Sequence, residues 1–148
     1  MTETIFPNAT MARLDVLAGT WSTRITMLDD IGAEAEVFTA TDLYRWMPGS
    51  HFLAHDVEAH MGGEPVRSME IIGIAADGES YVSRNYDNAG QVSDYTAALD
   101  GRHWRIDGAA ERFRGDIAAD GNTLTGLWQR CGADRWIDWM RVTLTRRG

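Results

Sequence analysis

The chain has 148 residues and a formal net charge of −8, and all 14 of its basic residues are arginine. The absence of lysine excludes Schiff-base chemistry, a Walker-type phosphate loop and lysine-dependent acid–base schemes. The acidic balance, with arginine pairs scattered at Arg102/Arg105, Arg112/Arg114 and Arg146/Arg147, argues against a nucleic-acid partner, whose recognition is mostly electrostatic.

A chain of this length folds as one domain, residues 1–148, burying roughly 70% of its unfolded surface. The single cysteine, Cys131, allows no intrachain disulfide and no cysteine-built zinc cluster. At the start, Glu3 stands where a signal peptide needs positive charge, and no apolar run of membrane-spanning length occurs anywhere. The expectation is a cytoplasmic protein without membrane association, in which Asn8-Ala9-Thr10 is a chance glycosylation match. Residues 1–8 read as a loosely ordered arm. Residues 9–18 (ATMARLDVLA) read as a short helix, capped by Thr10 and presenting Leu14 and Leu17 on one face, short enough to plug a barrel.

From Gly19 onward the periodicity is two. In GTWSTRITM, Trp21, Ile25 and Met27 share one parity against Ser22, Arg24 and Thr26. Asp29-Asp30 reads as the turn after this strand. Further turn signals at Pro48-Gly49, Gly62-Gly63, Asp77-Gly78, Asp87-Asn88-Ala89-Gly90, Asp100-Gly101, Asp120-Gly121 and Gly132 recur at hairpin spacing, with an extra break near Gly108. The segments between them are rich in β-branched and aromatic residues, the pattern of an antiparallel meander. About ten strands result, and closure into one barrel removes the exposed edges of so long a meander.

The stretch PGSHFLAHDVEAHMGG holds three of the four histidines. A helix would bring His51 and His55 within about 6 Å of rise, as zinc sites require, whereas a strand separates them by about 13 Å. The turn spacing favours the strand, and a zinc-protease motif would need Glu where Phe52 stands, so no metal site is expected. His55, on the more apolar parity, then either projects into the barrel as a hydrogen-bonding or acid–base group or packs as a core histidine.

In the middle strands YVSRNYD and VSDYTAAL, Arg84 shares a parity with Tyr86, and Asp94 with Thr96. In the penultimate strand either Trp128 or Gln129 faces inward. In the last, DRWIDWMRVTLTRR, Trp136, Asp138, Met140, Val142 and Leu144 share one parity, so an inward Asp138 is expected, with Arg84 or Arg112 as the partner that a buried carboxylate needs.

The order LDVLAGTWS, a short apolar helix running into Gly19-x-Trp21, resembles the opening of the calycins, the superfamily of lipocalins, fatty-acid-binding proteins and nitrobindins. The segments YDNAG, RFRGDIAADGNTLTGLW and WMRVTLTR are similar to an uncharacterised bacterial lipocalin-like family. The resemblance implies a closed barrel in which an arginine of the last strand, here Arg146, packs on Trp21 at one end. Nitrobindins bind haem through a late histidine, and no histidine follows His103, which puts a haem or nitric oxide protein last among the expectations.

The reading is an all-β, closed antiparallel meander barrel of about ten strands with a short N-terminal helix, binding a small, largely apolar organic molecule without a cofactor. His55, Arg84, Tyr86, Trp128 and Asp138 are the candidate lining. The alternative is an enzyme that cyclises or isomerises a hydrophobic substrate, with His55 as proton shuttle. A homodimer is the protein assembly the sequence leaves open.

Overall fold

A computed structural model of the chain describes residues 5–148. Ten strands form one closed antiparallel barrel in which each strand pairs with its neighbours in sequence and β1 pairs with β10. They are β1 (Gly19–Leu28), β2 (Glu34–Trp46), β3 (Leu53–Met61), β4 (Glu64–Ile74), β5 (Tyr81–Asp87), β6 (Val92–Asp100), β7 (His103–Asp107), β8 (Glu111–Ile117), β9 (Thr123–Cys131) and β10 (Trp136–Arg146). The break near Gly108 is the tight turn between β7 and β8, closed by the Gly108 amide donating to the Glu111 carbonyl. Among the described residues no helix is long and apolar enough to cross a membrane.

The residues before β1 form one α-helical turn, α1 (Ala9–Ala12), followed by a 3-10 helix over Arg13–Leu17. Its cap is Asn8 rather than Thr10: the Asn8 side chain accepts from the Met11 amide, whereas the Thr10 hydroxyl donates to the Gly78 carbonyl. Asn caps at least as well as Thr, and Thr10 is thereby free to tie the helix to the β4–β5 turn. Of the arm expected at residues 1–8, the first four lie outside the described residues; Ile5 is exposed, and Phe6 packs edge-on against Trp46.

The helical segment closes the end of the barrel at which the β2–β3, β4–β5, β6–β7 and β8–β9 turns lie. Met11, Leu14 and Leu17 are fully buried there, over a layer that includes Trp21, Leu53, Ile72, Tyr81, Leu99, Trp104, Leu124 and Leu144. The Arg146 guanidinium carbon lies 4.1 Å from the Trp21 ring centroid. The same guanidinium donates to the carbonyls of Val16, Ala18 and Gly121, fastening the 3-10 segment, the β8–β9 turn and the last strand together. Gly19 makes room for it: a Cβ there would stand 2.6 Å from Arg146 Nη1, and the residue's φ of +129° is one that side chains disfavour.

The opposite end is built differently. Inward-facing Ile25, Met27, Phe38, Val57, Met61, Val66, Trp128 and Met140 are apolar, yet all are only partly buried. Among the described residues no helix lies over them. The barrel is therefore packed at the plugged end and opens as a cup at the other, with these apolar groups on part of its wall and Ser68, Asn85, Ser93 and Tyr95 facing inward on β4 to β6.

Candidate functional site

The floor of the cup is a polar belt across five consecutive strands. Strand alternation turns Thr23 (β1), Asp42 (β2), His55 (β3), Glu70 (β4) and Ser83 (β5) inward, one level above the plug layer. The remaining strands complete the belt with apolar groups, among them Ala97, Ile106, Phe113 and Val142. Phe113 fits because its ring lies against Gly115 of its own strand and Gly126 of the paired β9, where a Cβ would collide with it.

Within the belt His55 is held from both sides. Its Nε2 lies 2.7 Å from Asp42 Oδ2 and its Nδ1 2.9 Å from Glu70 Oε1. The second carboxylate oxygens are also engaged: Thr23 donates to Asp42 at 2.5 Å and Ser83 donates to Glu70 at 2.7 Å. A doubly flanked imidazole of this kind donates from both nitrogens, which requires its protonated form. Burial opposes that charge, but the hydrogen bonds to Asp42 and Glu70 and the charges of the two carboxylates outweigh it and raise the His55 pKa from 6.5 to about 9. The triad thus sets two acidic side chains against one basic one. Tyr44 stacks on the imidazole, and its own phenol pKa is raised by burial and by the neighbouring Asp42 and Glu70 charges.

The side chains of His55, Asp42 and Glu70 are 14%, 10% and 12% exposed, so the triad is nearly but not wholly closed off from the cup. Above it, Tyr95 donates to Glu111, and Trp128 packs against Tyr95 and Phe113. Burial, and then the Glu111 carboxylate, push the Tyr95 phenol well above its ordinary pKa.

The other candidate residues fall elsewhere. His55 and Trp128 face inward. Arg84 and Tyr86 lie on the outer surface of β5, where Arg84 pairs with Asp94 at 2.7 Å and Tyr86 is 47% exposed; Ser83 and Asn85 are the inward residues of that strand. Asp138 is also outward, contrary to the expected facing. A β-bulge between Asp138 and Met140 inserts Trp139 as an extra residue and inverts the parity below it. Asp138 therefore sits opposite outward Gln129, which donates to it at 2.8 Å, and Trp136 lies outside under the Arg112 guanidinium. Arg112 reaches Asp138 only through Gln129, to whose oxygen it donates.

The histidines of the zinc-like stretch are dispersed: His51 precedes β3 in an exposed turn and His60 is exposed on the outer face of β3. Among the described residues no three His, Cys, Asp or Glu side chains are grouped as a metal ion would need. A depression of about 720 Å³ lies against the outer faces of β10, β1, β2 and β3, lined by Ser22, Arg24, Thr41, Glu58, His60 and Arg147. Its lining also includes Val37 and Ala40, and it lies outside the barrel wall.

Sequence reasoning missed four of the five belt residues. Asp42 carried the clearest available signal, as a carboxylate between apolar residues of one strand parity, Ala40-Asp42-Tyr44, a position that demands a buried partner; Glu70 follows Ser68 on its parity and stands out less.

Comparison with known proteins fits this architecture. The crystal structure of Rv2717c from M. tuberculosis superposes with a TM-score of 0.68 over 95% of this chain and 99% of that one, at 14% identity, a likeness of fold alone. The sequence matches no curated protein. Residues 7–130 match the family described as a protein of unknown function, DUF1579. On that match, which takes in the helix, the plug, the whole floor triad and the strands up to β9, the chain belongs to the DUF1579 family.

Proposed function

We propose that the cup binds a small organic molecule with a largely apolar body, reversibly and without a cofactor, in a cytoplasmic barrel of the calycin kind. The observation that carries this reading is the contrast between the two halves of one barrel. At the plugged end the inward side chains are 0–6% exposed, whereas at the other end apolar side chains of the same facing are left partly uncovered. A concavity with apolar side chains on its wall over a few convergent polar groups is the usual build of a small-molecule site. The short helix leading into Gly19-x-Trp21, with Arg146 packed on the tryptophan, supports the calycin comparison.

Binding is better supported than turnover. Both ring nitrogens of His55 are already hydrogen-bonded to carboxylates, so a proton shuttle would first have to break one of these bonds. The test is titration with N-phenyl-1-naphthylamine, a neutral apolar fluorophore. Saturable binding of one equivalent is expected, lost on Ser68→Trp, which places an indole within the cup from an inward position of β4. Absence of saturable binding to the unaltered protein would refute the proposal.

A further inference from the structure

The charged groups on inward positions of the cup are unevenly distributed. At the floor stand Asp42 and Glu70, with His55 between them. Toward the mouth, Glu36 pairs in register with Met27, Glu64 with Met61 and Glu111 with Arg130, which puts three acids on the inward parity of their strands, while Asp87 at the end of β5 turns its carboxylate to the β5–β6 turn, accepting from the Ala89 and Gln91 amides. The arginine among these mouth positions, Arg130, is turned to the β1–β2 turn, where it donates to Asp30 at 2.9 Å. An incoming molecule therefore passes acidic groups and ends at a floor where two acidic side chains flank one histidine.

We infer that the molecule held in the cup carries a cationic amine, drawn in past Glu36, Glu64 and Glu111 and seated against the Asp42 and Glu70 carboxylates. This rests on the reading of the cup as a small-molecule site and adds the chemical class. A carboxylate offers about four lone-pair directions, and Asp42 and Glu70 each use two within the belt, so both can accept a further donor. His55 cannot serve an anion in their place, because its two N–H groups are spent on the same carboxylates. The apolar wall around Ile25, Phe38 and Met140 suits the hydrocarbon part of an amphiphilic amine, while desolvation strengthens the charge pairing at the floor.

The test is displacement of bound N-phenyl-1-naphthylamine at pH 7 by three eight-carbon probes of different charge: octylammonium, octanol and octanoate. Octylammonium is expected to displace at least tenfold more effectively than octanoate, with octanol between them, and added salt should narrow the gap. Glu111→Gln, a partly exposed position, should narrow it as well. Octanoate matching or exceeding octylammonium would overturn the inference and leave the small-molecule reading intact. Failure of all three probes to displace a bound fluorophore would also overturn it, and failure of the fluorophore itself to bind would sink both.

Discussion

The imidazole of His55 lies parallel to the phenol ring of Tyr44, centroids 3.9 Å apart and planes 7° from coincidence. Because the imidazole is held protonated by Asp42 and Glu70, this is a cation on an aromatic face rather than a neutral stack, and its buried setting places it toward the upper end of the ~0.5–2 kcal/mol range for such contacts. Tyr44→Leu should therefore lower the His55 pKa by roughly one unit, while Tyr44→Phe leaves it unchanged. Imidazole chemical shifts followed against pH read this directly. Equal values in the two variants would mean that the ring stacking adds nothing to the carboxylates.

The same group makes stability depend on pH. The folded-state pKa of about 9 lies above the ordinary 6.5, so the charged form is favoured by folding, and its contribution is complete below pH 6.5. It is lost as pH rises through 9. The difference corresponds to about 3 kcal/mol, or roughly 5 to 10 °C in the thermal midpoint of a domain this size. Midpoints measured from pH 6.5 to 9.5 should fall by that order, in step with the His55 titration. An imidazole that titrates near 6.5 would remove the basis for the effect.

At the plugged end, Arg146 holds three carbonyls from two separate segments while covering Trp21. A lysine supplies the charge but not the planar fan of donors. Arg146→Lys should cost about 2–3 kcal/mol of unfolding free energy, and Gly19→Ala a similar amount, since its Cβ would displace the guanidinium. The two costs should not add, because both act through one contact. Denaturant midpoints of the single and double variants decide this, and full additivity would show that the two positions act separately.

The sequence made the container legible because its signals are local. Turn pairs at hairpin spacing and the parity of segments such as Trp21-x-x-x-Ile25 fix strands without knowledge of their neighbours, and Arg146 sits on an undisturbed stretch of its strand. The floor was less legible because it is assembled from five strands, and each of its residues taken alone is an ordinary strand residue. For β5 both parities are mixed, Ser83 and Asn85 against Arg84 and Tyr86, so alternation could not choose the facing. For Asp138 alternation chose wrongly, since one inserted residue at the Asp138/Met140 bulge inverts the pattern, and nothing in DRWIDWM distinguishes a bulged strand from a regular one.

The most direct measurement of the cup is the methyl spectrum of the protein labelled at its methionine methyl groups. Met27, Met61 and Met140 face the cup, Met11 is buried at the plugged end and Met69 is on the outer surface. On titration with N-phenyl-1-naphthylamine, the methyls of Met27, Met61 and Met140 are expected to shift together and saturate at one equivalent, while Met11 and Met69 stay in place. Shifts confined to Met69, or no shift at any of the three cup methionines, would contradict the account.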